Sequence, residues 1–275
     1  MILLMDMDLL KHRAANAIET KDKETGEYKA EPVHHAYYNI NSMVRRIFVK
    51  TRRTTAEFFL TAPGKSNFRY DIYPDYKGNR KDKHLPEHLT DVHNYIKHKY
   101  KAKEAAGQEA DDDISIRHHE LNPNGWNWKH RNSCIVSIDK DFDNIPGWHY
   151  NFMKQKAYYL DEITAKRNFY LQLLVGDTAD NVPRIKKGWL KKNTEEKINK
   201  ALTEKELLDI VVEEIKAVKT KDKKEIEELV LAETGCKISN WDIYLTQLTE
   251  RELRFRGQLL HLRTKPDEMW EIPSL

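Results

Sequence analysis

The chain has 275 residues, enough for one large domain or two modest ones with a real hydrophobic core. Its 33% charged content is high and its 39% apolar content low, but 10% aromatic residues exclude a disordered chain. Basic and acidic residues nearly cancel (47 against 44, net +3), so what matters is how they are sorted, and short acidic knots sit among long basic stretches, as where cations are held beside polyanions.

In chain order, the apolar run ILLM at 2–5 predicts a buried strand that delivers Asp6 at its carboxyl end. MILLMDMDLLKH is broken by Asp6 and Asp8 and has no basic leader, so a signal peptide is not expected. No window approaches a membrane span. Cys134 and Cys236 show neither disulfide nor zinc spacing, so a soluble, cytoplasmic chain is expected, with Cys134 a small core residue. Residues 30–52 carry Tyr37, Ile40, Met43, Val44 and Phe48 near helical spacing. AEFFLT at 56–61 predicts a second strand, closed by Pro63-Gly64. The basic stretch 77–103 predicts a loop and helix standing out from the domain. CIVSI at 134–138 predicts a third strand, delivering Asp139, and 148–152 and 157–160 short β segments. From residue 161 the texture is helical, notably over 194–219 and 221–235, with LLHLRT a helix end and MWEIP a closing strand. Strands alternating with helices predict an α/β layer fold around a mostly parallel sheet, whose ligand sites lie beyond the carboxyl ends of the strands.

The stretch GQEADDDISI sets Glu109, Asp111, Asp112 and Asp113 within five positions. A solvated helix start, a disordered acidic patch and half of a metal site all fit. Asp111 would face away from Glu109 on a regular helix, so Glu109 is placed in an extended lead-in, with the helix starting near Asp111, where its N-terminus tempers the charge. Asp139 and Asp141 are two apart and point the same way on extended chain. Asp177 and Asp180 are three apart and share a face on a helical turn. Any one of these clusters alone is more often a cap, a turn or a solvated face. Together, oxygen-only acids suit Mg²⁺ or Mn²⁺, and two such ions about 4 Å apart catalyse in-line phosphodiester cleavage. The segment YPDYKGNRKDK is either a solvated loop or a phosphate contact by Lys77 and Arg80, with Tyr76 stacking on a base.

In this order MDMDLLKHRAANA, YKGNRK, EADDDI, SIDKDFDNIP and LLVGDTADNVP resemble the 5′-nuclease superfamily. That superfamily includes flap endonucleases, the 5′-nuclease domains of bacterial DNA polymerase I, and phage 5′–3′ exonucleases and RNases H. The resemblance implies a PIN-like catalytic domain over 1–165 with a helical arch at 77–108. It also implies a helical helix–turn–helix region over 166–275 that grips duplex DNA, its C-terminal segment packing back. Two Mg²⁺ ions are implied, with Mn²⁺ able to substitute. Asp6, Glu109, Asp111 and Asp112 would serve the first ion or its surroundings, and Asp139, Asp141, Asp177 and Asp180 the second. Lys77 and Arg80 match positions that hold the scissile phosphate, and Tyr76 the stacking position, with Lys81 beside them. The implied activity is 5′–3′ exonuclease or flap endonuclease cleavage of DNA, RNA–DNA hybrids included. The implied setting is phage or bacterial replication, the protein a monomer with no membrane partner. A PIN-type single-strand ribonuclease and a catalytically weak structure-specific binder are the rivals. Two departures stand out. Where the family carries an acid after the second strand, this chain has Thr61 and Ala62, with Asp71 a candidate substitute. Where it carries a Gly-rich hairpin, this chain has VPRIKKGWLKKN, so Lys186, Lys187, Lys191 and Lys192 are expected to touch phosphates directly, with a steep salt dependence.

Overall fold

A computed structural model describes residues 1–64, 66–81, 83–186 and 191–274, Lys191 by its backbone alone. The chain forms two compact units. One comprises Met1–Tyr70, Arg80–Glu162 and Leu262–Glu268, the other Asp71–Asn79, Ile163–His261 and Met269–Leu275. Two excursions therefore cross the single boundary read at 165/166: residues 71–79 join the second unit, and 262–268 return to the first.

The chain runs β1 (Ile2–Asp6), α1 (Met7–Asn16), the hairpin of β2 (Glu19–Lys21) and β3 (Tyr28–Ala30), α2 (His34–Thr51), β4 (Ala56–Thr61) and α3 (Phe68–Ile72). It continues through α4 (Leu89–Tyr100), β5 (Lys103–Ala105), α5 (Ala110–Glu120), β6 (Ser133–Val136), β7 (Gly147–Asn151) and β8 (Lys156–Leu160). The sheet order is β5-β4-β1-β6-β7-β8, every neighbouring pair parallel except β7 with β8. β1 lies at the centre, in register with β4 (Asp6 opposite Phe59) and with β6 (Met5 opposite Val136).

The period of two along these strands divides the core. Leu3, Met5, Leu60, Cys134 and Val136 join α1, α2 and α4 in one apolar cluster. Leu4, Phe59 and Ile135 join α5, Phe142 and Leu262 in another. Both faces are covered, which is why the strand sequences are continuous apolar runs rather than alternating ones. The 77–103 segment was expected to stand out, but α4 packs into the first cluster. Val92 and Ile96 are fully buried, and Tyr95 stacks on Tyr37 of α2 at 4.1 Å. Its basic residues occupy the opposite face, so the charge run is the solvated side of an amphipathic helix.

The second unit holds α6 (Glu162–Val175), α7 (Lys191–Lys200), α8 (Glu204–Lys221), α9 (Lys223–Thr234) and α10 (Trp241–Leu260). α8 starts on a Thr203–Glu206 capping box and buries Leu207, Val211, Ile215 and Val218 along one stripe. α10 packs on α8. MWEIP, expected to close as a strand, forms none. Trp270 instead inserts against Gly257 of α10 and lies 5.8 Å from the Phe169 ring, a buried aromatic anchor in place of a sheet edge. A Cβ on residue 257 would fall 1.9 Å from Trp270 Cε3. Gly257→Ala is therefore expected to lower stability by about 1–3 kcal/mol through overpacking, seen as a lower Tm and a redder tryptophan emission. An unchanged Tm would mean that Trp270 moves freely. Among the described residues no helix is long and apolar enough to cross a membrane.

Candidate active site

The acids of the first unit gather where the parallel strands end. Asp6 closes β1 and caps α1, its Oδ1 accepting from the Asp8 N–H at 3.0 Å. Its Oδ2 accepts from the Ser137 hydroxyl at 2.7 Å, and Ser137 Oγ in turn accepts from the Asp139 N–H at 3.0 Å. Asp6 is 2% exposed. Burial, then the neighbouring charge of Asp8, push its carboxyl up to about 7; Ser137 partly offsets this, and Asp139 adds to it.

Asp8 is the residue that the motif reading passed over. Its Oδ1 pairs with Lys11 Nζ at 2.6 Å, and its Oδ2 accepts from the Thr61 N–H at 2.9 Å. Burial opposes its charge, but Lys11 and the Thr61 bond outweigh burial and hold it below the usual carboxylate range. Thr61 is the position noted for lacking an acid, so Asp8 reaches the end of β4 from α1. Asp71 is exposed on the second unit's stretch. The alternating D-x-D at the end of β1 was the available signal, since the second residue after an N-cap also lies near the strand's carboxyl end.

Asp139 caps a 3-10 turn over Lys140–Asn144, its Oδ1 accepting from the Asp141 N–H at 3.0 Å. The chain is thus not extended here, as the two-residue spacing suggested, because the cap bends it at once. Asp141 is half-buried, and Asp143 accepts from Tyr158 Oη at 2.7 Å.

Glu109 is extended at φ −92°, ψ 160° and precedes α5, whose first turn carries Asp111, Asp112 and Asp113. Glu109 and Asp111 are half-buried. Asp112 is fully buried and grips Arg69 through both oxygens, at 2.7 and 2.9 Å, while also accepting from the Arg263 N–H at 3.2 Å. Burial raises the Asp112 carboxyl, but the Arg69 charge and hydrogen bonds prevail and leave it below its ordinary value. Assigned to a metal or its surroundings by resemblance, Asp112 is spoken for by an arginine at both oxygens.

Arg80 belongs to the first unit, and its charge reaches His12 of α1. Burial first, then Lys11 and Arg80, hold His12 below its usual value, against the pull of Asp8. Lys81 is exposed.

In the second unit Asp177 is 2% exposed, and its Oδ1 accepts from the Ala179 N–H at 2.7 Å. Asp177 and Val182 exchange backbone hydrogen bonds at 2.8 and 2.7 Å, which makes GDTADNV a hairpin-like turn rather than the helical turn expected from the three-residue spacing. Asn181, at φ 61°, supplies the left-handed residue that such a turn requires. Tyr76, expected to stack on a base, is 2% exposed, and its hydroxyl donates to Asp180 Oδ2 at 2.6 Å. At that exposure little of the ring is open to solvent, and Asp180 satisfies the phenol inside the fold. Lys77 Nζ lies 3.7 Å from Asp180 Oδ1. Lys186 pairs with Asp222, and Lys192 is exposed. Lys187 and the side chain of Lys191 lie outside the described residues.

Among the described residues no three His, Cys, Asp or Glu side chains are gathered tightly enough to cage an ion by themselves. The acids turn instead to donors of their own chain: Ser137, Lys11, Arg69, Tyr76 and backbone N–H groups.

Comparison with known proteins gives a match to the 5′-3′ exonuclease N-terminal resolvase-like domain over residues 1–169. Among solved structures the chain is similar to a bacteriophage T5 protein co-crystallised with metal ions, at 16% identity and a TM-score of 0.55, covering 92% of this chain and 98% of that one. It is also similar to a variant of the bacteriophage T5 flap endonuclease, solved as a pseudo-enzyme-product complex with DNA and metal ions. That match has 17% identity and a TM-score of 0.53, covering 94% of this chain and 99% of that one. At these identities the structures establish the α/β, PIN-like fold. The sequence match spans well over half of the chain, and the chain is therefore a member of the 5′–3′ exonuclease family, a nuclease of the hydrolase class.

Proposed function

We propose that the chain is a divalent-metal-dependent 5′-nuclease that hydrolyses phosphodiester bonds at or near the 5′ ends and 5′ flaps of DNA, RNA–DNA hybrids included, in phage or bacterial replication. The observation that carries this is the cluster of Asp6, Asp8 and Asp139 at the carboxyl ends of adjacent parallel strands, with Asp6 buried and held near neutrality. The donor set fits Mg²⁺ or Mn²⁺: it offers carboxylate oxygens without thiolate or imidazole, and the charges of Asp8 and Asp139 both oppose that of Asp6. Asp6, Asp8, Glu109, Asp111, Asp139 and Asp141 of the first unit are the residues that would hold such an ion there, and Asp177 and Asp180 of the second unit are the further carboxylates that the resemblance assigns to metal. When bound, divalent cations supply the Lewis acidity that activates water and offsets charge on the phosphate. The chain's own residues do the rest. Ser137 orients Asp6 and, through its oxygen, the Asp139 backbone. Lys77 and Arg80 would each offer a positive charge to phosphate oxygens, where charge builds as the bond breaks. The DNA and metal ions of the T5 flap endonuclease complex support this reading.

On a 5′-labelled flap duplex with Mg²⁺, Asp139→Ala and Asp177→Ala are each expected to cut at least about a hundredfold more slowly while still binding the duplex, a loss of several kcal/mol in transition-state stabilisation. Near-normal turnover in both variants would sink the metal assignment. Cleavage of unstructured RNA in preference to the flap would favour a single-strand ribonuclease. Binding without cleavage under either metal would leave a structure-specific binder.

A further inference from the structure

The stretch 73–79 is stitched to the turn 177–182 along its length, and both belong to the second unit. The Tyr76 hydroxyl donates to Asp180 Oδ2 at 2.6 Å, and the Lys77 N–H donates to the Asp180 carbonyl at 2.9 Å. Asn181 Nδ2 donates to Asp75 Oδ2 at 2.8 Å and to its carbonyl at 2.9 Å. Asn79 Nδ2 donates to the Thr178 carbonyl at 2.6 Å. These pairings join residues about a hundred positions apart in sequence. They hold Lys77 at φ 54°, a left-handed conformation that a side chain-bearing residue adopts only when its surroundings impose it. Gly78 follows because a Cβ there would fall 2.2 Å from Asp75 Oδ1. The Lys77 side chain is then aimed from both sides, its Nζ 3.7 Å from Asp180 Oδ1 and 5.1 Å from the centre of the Tyr76 ring.

Resting on the nuclease reading above, we infer that Tyr76 is a positioning residue: its hydroxyl bond to Asp180 clamps Lys77, the phosphate-holding lysine, onto the Asp177 turn, so that it is carried by the helical unit rather than by a free loop. A long, flexible lysine gains catalytic value only when its head is held in place, and a misplacement of about 1 Å costs up to roughly a hundredfold in rate.

Tyr76→Phe is the discriminating variant, because it removes the hydroxyl that Asp180 Oδ2 accepts and leaves every carboxylate in place. The experiment measures single-turnover cleavage of a 5′-labelled flap duplex in Mg²⁺, duplex affinity in Ca²⁺, the Mn²⁺ binding isotherm by calorimetry, and Tm. Tyr76→Phe is expected to cut roughly ten- to a hundredfold more slowly, with affinity and Mn²⁺ stoichiometry unchanged. Added to Lys77→Ala it should cause almost no further loss, since both act at one place. Should Tyr76→Phe unfold, Asn181→Ala breaks the same stitch at Asp75 and should give the same kinetic pattern. A wild-type rate for Tyr76→Phe, or a loss additive with Lys77→Ala, would each overturn the clamp. A wild-type chain that binds Mn²⁺ but cuts no 5′ substrate would bring down the nuclease reading, and the clamp with it.

Discussion

Asp6→Asn is expected to cut at least about a thousandfold more slowly and, in the absence of metal, to be more stable than the wild type at pH 8. The two effects share one cause. Asp6 is buried beside Asp8 and Asp139, and its carboxyl titrates near 7 instead of near 3.8. In this window the folded state binds a proton that the unfolded state has already lost. The contribution of Asp6 to stability therefore declines as the pH rises from about 4 to about 7, and stays lost above that. A rise of that size caps the effect at roughly 4 kcal/mol. Asparagine does not ionise, so the variant escapes the loss. Cleavage moves the other way, because the carboxylate that destabilises the fold is the one proposed to hold a cation, and that cation supplies several kcal/mol of transition-state stabilisation. Thermal denaturation at pH 5 and pH 8, with and without Mg²⁺, checks both halves. The variant should gain on the wild type between the two pH values, and Mg²⁺ at pH 8 should raise the wild-type Tm more than the variant's. A Tm difference that ignores both pH and Mg²⁺ would show that Asp6 is neither strained nor a ligand. A stability gain won by removing an active-site charge is the usual trade between activity and stability.

The largest effect on stability alone is expected at the Arg69–Asp112 pair. Side-chain exposure is 2% and 0%, and both carboxylate oxygens are engaged. Removing either partner leaves a buried charge without compensation, so Arg69→Met or Asp112→Leu should each cost about 3–5 kcal/mol. For a chain of this size that is a drop of order 10 °C in Tm. Replacing both together should recover much of the loss, because two apolar side chains need no charge partner. The pH dependence carries the opposite sign to that of Asp6. The Asp112 carboxyl is held below its ordinary value, so its stabilisation is present above that value and disappears as the pH falls through the folded one. The acid limb of the wild-type stability curve should therefore be steeper than that of the double variant. If Asp112 instead held an ion, Asp112→Asn would weaken Mn²⁺ binding with little change in the metal-free Tm, and calorimetry would reveal it.

What the sequence by itself determined is what short-range patterning encodes. Apolar runs at 2–5, 56–61 and around 134–138 become β1, β4 and β6, because strands covered on both faces need continuous apolar sequence. The residue ending such a run lies at the sheet's carboxyl edge whatever the rest of the chain does, so Asp6 and Asp139 were legible as a pair. The extended Glu109 and the helix behind it followed from Asp111, which would face away from Glu109 on a regular helix. Short elements escaped the reading: β5 and the β2–β3 hairpin are three residues each, too short for any period to show.

Tertiary structure alone decided which polar groups meet. Asp8 was visible as a residue, but its bond to the Thr61 N–H spans 53 positions, and it exists only because β1 and β4 lie side by side in register. Asp112 was read as one more acid, and its role turned on Arg69, 43 positions away. Tyr76 sits in an exposed-looking basic stretch, and is buried because Asp180, 104 positions on, takes its hydroxyl. The physical reason is common to all three. Periodicity reports whether a residue faces in or out of its own element, which neighbours along the chain determine. The partner of a buried charge or hydroxyl is fixed by how distant elements pack, and desolvation makes that one partner decide whether the group is a ligand, a clamp or a strut.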